Sequence, residues 1–380
     1  MAEVQIFEGA IDKGLEGIVS CSTAVSTIQD NTLSYRGYTI EDLAANASFE
    51  EVTWLLWTGK LPTQNELTSF KKELAAAMNL PKDFVAALRA LPTKNVHPMA
   101  WLRTAVSLFA QWDPDANDNS PEANRRKAVR LTGAMGPIVC AFKQLRDGKD
   151  PIPAKDGQSI AWNFLYMLFG KEPTAEQTKN FDTCLVLHAD HELNCSAFAT
   201  RVTASSLSDI HSAIVSAIGA LKGPLHGGAN EQVMVMLKKI GTMDKAKQFV
   251  QDALQAKEKV MGIGHRVYKN GDPRAAILRK MSDKLTAETN QHHLYEMSTL
   301  IDDTMNKEKG LMPNVDFYSA TVYHSMGIPT DIFTPIFAVS RISGWLAHAF
   351  EQYANNRIYR PRGKWVGASG NKYVPVSQRG

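Results

Sequence analysis

"SFEEVTWLLWTG" occupies residues 48–59 and reads as one complete helix, from cap to stop. Ser48 with Glu51 three positions later forms a capping box, in which each side chain satisfies an orphan backbone N–H of the other's residue. Val52, Leu55 and Leu56 then share one face at the helical period, and Gly59 marks the end. The signal repeats at once with Thr63 and Glu66, followed by Leu67, Phe70 and Leu74. Working outward, the pattern predicts helices over 83–90, 99–111, 123–146, 159–169, 175–204, 207–221, 231–240, 243–260, 273–289, 290–307, 316–326 and 331–354. Only residues 17–38, with β-branched residues around "QDN", predict strand structure, as one small hairpin. The fold class is therefore mainly α. The polar stretch "DPDANDNSPEANRRK" (113–127) is the expected exposed insertion.

At 380 residues the chain is long enough for two domains, since single cores seldom grow past ~250–300 residues. Its apolar content of 44% and charged content of 21% are those of an ordinary globular protein. A net charge of +3 argues against a broad nucleic-acid footprint. Cys21, Cys140, Cys184 and Cys195 are scattered without a CxxC pair, which fits a reducing compartment rather than a disulfide framework. The opening "MAEVQIFEGAIDKGLEG" has no apolar core, so no signal peptide is expected. No run approaches the ~20 apolar residues of a membrane span; the closest, 331–350, is interrupted by Arg341 and His348. A cytoplasmic chain without nucleic-acid or membrane partners is expected.

Four short stretches carry residues capable of chemistry. In "HADHE" (188–192), set within a predicted helix, His188, His191 and Glu192 share a face. The spacing matches no zinc motif, so a hydrogen-bonded helix face or a polar substrate site is expected instead of a metal. In "GPLHGGAN" (223–230), Pro224 and the glycines hold His226 at a defined place with open space beside it, unless the stretch is simply an interhelical turn. A helix beginning near Asn230 would keep that histidine neutral, because its positive end disfavours imidazolium. "GIGHRVYKNGDPR" (262–274) is not a dinucleotide fingerprint, since Val267 stands where a third glycine belongs. It reads as a basic interhelical loop or a phosphate loop, with Arg266, Lys269 and Arg274 near His265. In "PNVDFYSA" (313–320), Asp316 lies in the first turn of a helix. There it either complements the dipole or stays ionised as a general base.

Two arginines complete the set. Arg341 interrupts an apolar helix, and a buried guanidinium needs an anionic partner, from the core or from a substrate. Arg360 lies in the basic tail "NNRIYRPRGKWVG" and by charge alone reads as solvated. Taken together, arginines suit carboxylates, neutral histidines suit carbonyl oxygens, and an aspartate can remove a proton. The implied reaction joins a carbanion equivalent to a carbonyl on a small polyanion.

These motifs are similar, in order and approximate spacing, to those of the citrate synthase family: "HADHELN", "GALKGPLHGGANE", "GIGHRVYKNGDPR", "PNVDFYSA" and "IYRPRGKWVG". "SYRGYTIEDLA" and "HPMAWLRTAVS" extend the resemblance over essentially the whole chain. It implies an all-helical fold with a small N-terminal hairpin, a large domain of 1–227 and 328–380 with a C-terminal arm, and a small domain of 228–327 that closes over substrates. It also implies a homodimer that condenses acetyl-CoA with oxaloacetate and hydrolyses the resulting citryl thioester. In the implied roles Asp316 takes a proton from the thioester methyl, His226 donates to the thioester carbonyl, and His265 polarises the ketone. His191, Arg274 and Arg341 hold oxaloacetate, with Arg360 reaching in from the neighbouring subunit. Leu225, Gly262, Lys269 and Asn314 would lie along the CoA, and neither a metal nor a further cofactor is implied. The residues after His265, Arg266 and Tyr268, match the short dimeric prokaryotic branch. That branch includes 2-methylcitrate synthases using propionyl-CoA, and one CH₂ is worth only ~1–3 kcal/mol in a pocket. The alternative from another class is a non-catalytic acyl-CoA-binding helical protein, against which the intact His226, His265 and Asp316 argue.

Overall fold

Both capping boxes form. Ser48 Oγ caps the Glu51 N–H, and the Glu51 carboxylate accepts the Ser48 N–H at 2.8 Å, so the Phe49–Thr58 helix starts at its box and ends on Gly59 at φ 81°. Thr63 and Glu66 start the Gln64–Ala77 helix in the same way. The structure is a computed structural model and describes residues 11–265, 267–268 and 270–379. Sixteen α-helices and one three-stranded sheet are found among the described residues, so the mainly α class holds. The predicted hairpin is Ser26–Gln29 paired antiparallel with Thr32–Tyr35. Asp30 and Asn31 both take positive φ at its tip, as a tight hairpin turn requires. A third strand, Tyr38–Thr39, extends it and was not expected.

The apolar helix at the end of the pattern is the centre of the core. Phe333–Ala354 buries nearly every side chain as far as Ala349. It packs against helices Phe49–Thr58, Pro121–Arg146, Ala175–His188, Cys195–Ser205 and Ile210–Leu221. Burying a side chain such as Phe337 or Leu346 contributes roughly 1.5–3 kcal/mol each. This helix therefore resists movement, and it carries Arg341. Glycine is obligatory at 344, where an added Cβ would lie 2.3 Å from Asp190 Oδ1 and 2.5 Å from the Ala189 carbonyl oxygen.

That close approach explains the main departure from the predicted pattern. The single helix expected over 175–204 is two, Ala175–His188 and Cys195–Ser205, with a connecting segment between. Tertiary partners replace helical hydrogen bonds there. The Gly344 N–H donates to the Ala189 carbonyl. The Tyr35 hydroxyl donates to the Asp190 carbonyl at 2.8 Å. Ser26 Oγ accepts the Glu192 N–H at 2.7 Å. Glu192 takes a left-handed φ of 51°, and Asn194 caps the second helix. His188, His191 and Glu192 thus do not share a helix face.

The stretch at 113–127 runs into a helix start at Pro121 and exposes Pro114, Asn117 and Asp118, as expected, but it is pinned at its base. The Asp113 side chain is buried and binds Arg130 through both oxygens, at 2.6 and 3.0 Å, while Arg126 grips Asp115.

By internal contacts Thr23–Arg357 is one unit; Met1–Ser22 with Ile358–Gly380 is the other. In the second unit the Tyr359 hydroxyl donates to the Ser20 carbonyl, and Trp365, Val366 and Tyr373 are exposed. No helix of the described residues is long and apolar enough to cross a membrane.

Candidate active site

His226 sits in the turn between helices Ile210–Leu221 and Ala229–Ile240. Its glycines work by close packing. A Cβ on Gly227 would fall 2.4 Å from Leu221 Cδ1, and one on Gly228 would press on the Gly223 and Lys222 carbonyls. Neither takes positive φ, and the space that a side chain would fill is already protein, so the expected opening for a ligand does not come from these glycines. The imidazole is neutral, its pKa pushed down to about 3 by burial and then by the Arg341 guanidinium. The expected helix does begin just after His226, at Ala229, and a second helix start reaches the ring directly. The backbone N–H of Ser196, in the first turn of Cys195–Ser205, donates to His226 Nε2 at 3.3 Å. An Nε2 that accepts leaves the proton on Nδ1.

His265 is treated the same way from the opposite ring nitrogen. The Val267 and Tyr268 N–H groups donate to its Nδ1 at 3.0 and 3.3 Å, so its proton lies on Nε2. Burial, followed by Arg274, lowers its pKa to about 4 against an opposing pull from Asp272. Gly262 and Gly264, at φ 76° and 88°, shape this loop. Gly262 admits no Cβ, because Val233 and Phe317 stand within 3 Å of where it would be. The ring of His191 lies 5.1 Å from that of His265, and a 3.1 Å hydrogen bond joins His191 Nε2 to the Tyr268 hydroxyl. Burial and the surrounding Arg274 hold His191 neutral as well.

Asp316 follows the N-cap Asn314 of helix Val315–Ser325. The expectation that the helix start keeps it fully ionised is corrected. Burial raises its pKa to about 7, with Arg274 and Arg341 opposing and Asp272 assisting. Its Oδ1 has no hydrogen-bond partner among the described residues. A carboxyl group poised near neutrality with a bare oxygen is suited to taking a proton.

The two arginines are held differently. Arg274 is clamped by Asp272 through Nε (3.0 Å) and Nη2 (2.7 Å), and Nη1 has no partner among the described residues. Asp272 also accepts the Val315 N–H at 3.1 Å, which ties the arginine to the residue before Asp316. Arg341 donates from Nε to the His188 carbonyl at 2.7 Å and lies 4.6 Å over the Phe337 ring. Among the described residues no carboxylate forms an ion pair with it. Burial lowers its pKa to about 10, and Asp190 is the strongest opposing charge. The core salt bridge weighed as its alternative role is therefore absent among the described residues.

The remaining sites are less concentrated. Asn314 uses its side chain on the Asp316 N–H and the Gly264 carbonyl, both at 3.0 Å. Leu225 is 95% exposed. Arg360 is exposed in the terminal unit. Lys269, like Arg266, lies outside the described residues. Sequence reasoning missed Asp272, Tyr268 and Ser196. Asp272 was findable as the N-cap before Pro273, whereas Tyr268 and Ser196 act through tertiary contacts that no local pattern announces.

Two neutral imidazoles, each with its N–H on the nitrogen left by a backbone donor, and a carboxyl group whose pKa burial raises to about 7 are the parts that proton transfer on a carbonyl compound requires. The buried guanidinium groups of Arg274 and Arg341 suit anionic compounds of that kind. The sequence matches the family model described as "Citrate synthase, C-terminal domain" over residues 14–362. The chain belongs to the citrate synthase family. It is 52% identical to citrate synthase 2 of Bacillus subtilis (strain 168), covering 97% of this chain and 99% of that one. It is 41% identical to 2-methylcitrate synthase of Shewanella oneidensis, with all of both chains covered. The citrate synthase of Thermoplasma acidophilum, solved as a ternary complex with carboxymethyl coenzyme A and oxaloacetate, superposes with a TM-score of 0.92 at 35% identity, covering 97% and 100% of the two chains.

Proposed function

We propose that the chain condenses acetyl-CoA with oxaloacetate and water to give citrate and CoA. The observation that carries this is the opposed tuning of three groups, Asp316 pushed up to about 7 while His226 and His265 are pushed down to about 3 and 4. Asp316 removes a proton from the thioester methyl. Nδ1–H of His226 donates to the thioester oxygen as it becomes an enolate. Nε2–H of His265 polarises the ketone of oxaloacetate and supplies its proton as the new bond forms. Nη1 of Arg274, the free edge of Arg341 and His191 hold the carboxylates of oxaloacetate. Arg360 of a second copy completes the pocket in a homodimer. Leu225, Gly262, Lys269 and Asn314 line the CoA path, Asn314 by shaping the loop. Water then hydrolyses the citryl thioester, which drives the sequence forward. The chemistry calls on no metal and no cofactor beyond the thioester substrate. The small domain of 228–327 carries His265, Arg274 and Asp316, and its closure on the large domain assembles the site in a cytoplasmic enzyme.

The full-length match to a 2-methylcitrate synthase supports a second reading, in which propionyl-CoA is the thioester. Release of CoA thiol from each thioester in the presence of oxaloacetate separates the two. A higher kcat/KM for acetyl-CoA is expected; a higher value for propionyl-CoA would reverse the assignment of substrate, and release from neither would end the enzymatic reading.

A further inference from the structure

The hairpin of Ser26–Gln29 and Thr32–Tyr35 touches both of the segments that bring His191 and His265 together. At its base, Ser26 and Tyr35 are partners in the register. Ser26 Oγ donates to the Asp190 carboxylate and accepts the Glu192 N–H. The Tyr35 hydroxyl donates to the Asp190 carbonyl at 2.8 Å and accepts the Asp190 N–H at 3.2 Å. These bonds bracket His191 on both sides. At the tip, Asn31 reaches the other segment. Its Nδ2 donates to the Gly271 carbonyl at 2.8 Å, and its Oδ1 accepts the Asn270 N–H at 3.3 Å. Reversing the amide would set donor against donor and acceptor against acceptor, so its orientation is fixed.

Asn31 is the second central residue of a two-residue turn, at φ 65° after Asp30 at 47°. Glycine suits that position best, because it takes positive φ without steric cost. Asparagine tolerates it less well, and here its side chain is half-buried while Asp30 beside it is exposed. What asparagine adds over glycine is the amide on the loop. That loop has few other ties. The Val267 and Tyr268 N–H groups are spent within it, on His265 Nδ1. Among the described residues between His265 and Asp272, hydrogen bonds leave the loop only from Tyr268 to His191 and from Asn270 and Gly271 to Asn31. A segment so lightly bonded opens at low cost.

We infer that Asn31 is a positioning residue for oxaloacetate: its amide ties the His265–Asp272 loop to the hairpin that also holds His191, so that the groups meeting this substrate are assembled before it binds. This rests on the reading of His191, His265 and Arg274 as the oxaloacetate pocket. Without the amide, fewer molecules hold the loop in place, and the apparent affinity falls by the same fraction. Bound oxaloacetate then supplies the missing order itself, so turnover at saturation is spared.

The test compares the parent with Asn31→Gly, which keeps the turn and removes the amide, and with Asp30→Gly, which alters the same turn beside the tie. Oxaloacetate binding is measured by calorimetry, kcat and KM by release of CoA thiol, and Tm by thermal unfolding. One good and one longer neutral hydrogen bond are together worth about fivefold to thirtyfold in an equilibrium. Asn31→Gly should therefore raise the oxaloacetate Kd and KM by about that factor, with kcat within about twofold of the parent and Tm no lower. Asp30→Gly should leave Kd and KM within about twofold. A Kd within twofold of the parent in Asn31→Gly, an equal rise in both variants, or a fall in kcat and Tm in place of the rise in KM overturns the proposal. If the parent itself neither binds oxaloacetate nor releases CoA thiol, the reading of the pocket fails; if the parent does both and Asn31→Gly matches it, only the tie is wrong.

Discussion

Replacing Asp316 by Asn should make the enzyme inactive and, at alkaline pH, more stable. Its carboxyl group is buried with one unpartnered oxygen and titrates near 7 rather than at its ordinary 3.8. A folded pKa above the unfolded one means that the native state binds more protons between those values. Stability attributable to this group is then fully present below about 4 and is lost as pH rises through 7. Three units at 1.36 kcal/mol each give a loss of at most about 4 kcal/mol at pH 8. Asparagine carries no charge and escapes it. The depressed histidines work in the opposite direction, gaining stability as pH rises from about 4 to 6.5; because both proteins share them, they cancel in the difference. Urea unfolding of parent and variant at pH 4.5 and pH 8 measures this directly. The variant should be more stable at pH 8 by ~2–4 kcal/mol, with most of that gain absent at pH 4.5, while turnover falls by ~10²–10⁴-fold. A variant no more stable than the parent at pH 8, or a gain independent of pH, refutes the assigned burial of charge.

For the parent, log kcat/KM for the thioester should fall with unit slope below about pH 7, where Asp316 takes up its proton; a limb centred near 4 would mean that another group is the base. Arg341→Lys loses the planar fork over Phe337 and should raise the oxaloacetate KM about tenfold to a hundredfold, the worth of a charged hydrogen bond. A KM within twofold of the parent would remove Arg341 from the pocket. Arg360→Ala should impair oxaloacetate use yet complement Asp316→Asn in trans, since a tag-selected heterodimer rebuilds one site from two copies; a heterodimer no more active than either homodimer would place Arg360 elsewhere.

Periodicity was a good guide where local chemistry decides the outcome. Ser48, Thr63 and their partner glutamates start helices through contacts three residues apart, and a one-dimensional pattern contains all of that information. It failed at 189–194, where the chain leaves the helix for bonds to Tyr35, Ser26 and Gly344, residues remote in sequence. That failure matters for the site, because the break is what places His191 against His265. The residue types of the candidate site were legible from their settings in turns and apolar helices. Their tuning was not, because the pKa of Asp316 depends on burial and on two guanidinium groups brought in by the fold. Likewise the tautomers of His226 and His265 are set by backbone N–H groups whose directions only the structure supplies.

In the proposed reaction Asp316 takes a proton from the methyl of a CoA thioester beside bound oxaloacetate. Acetyl-CoA deuterated at the methyl, mixed in ordinary water with enzyme and a dicarboxylate bearing a hydroxyl in place of the ketone, isolates that step from bond formation. Mass spectrometry of the recovered thioester should show deuterium washing out with the parent enzyme. With Asp316→Asn the label should be retained. Washout at the parental rate in that variant would contradict the account.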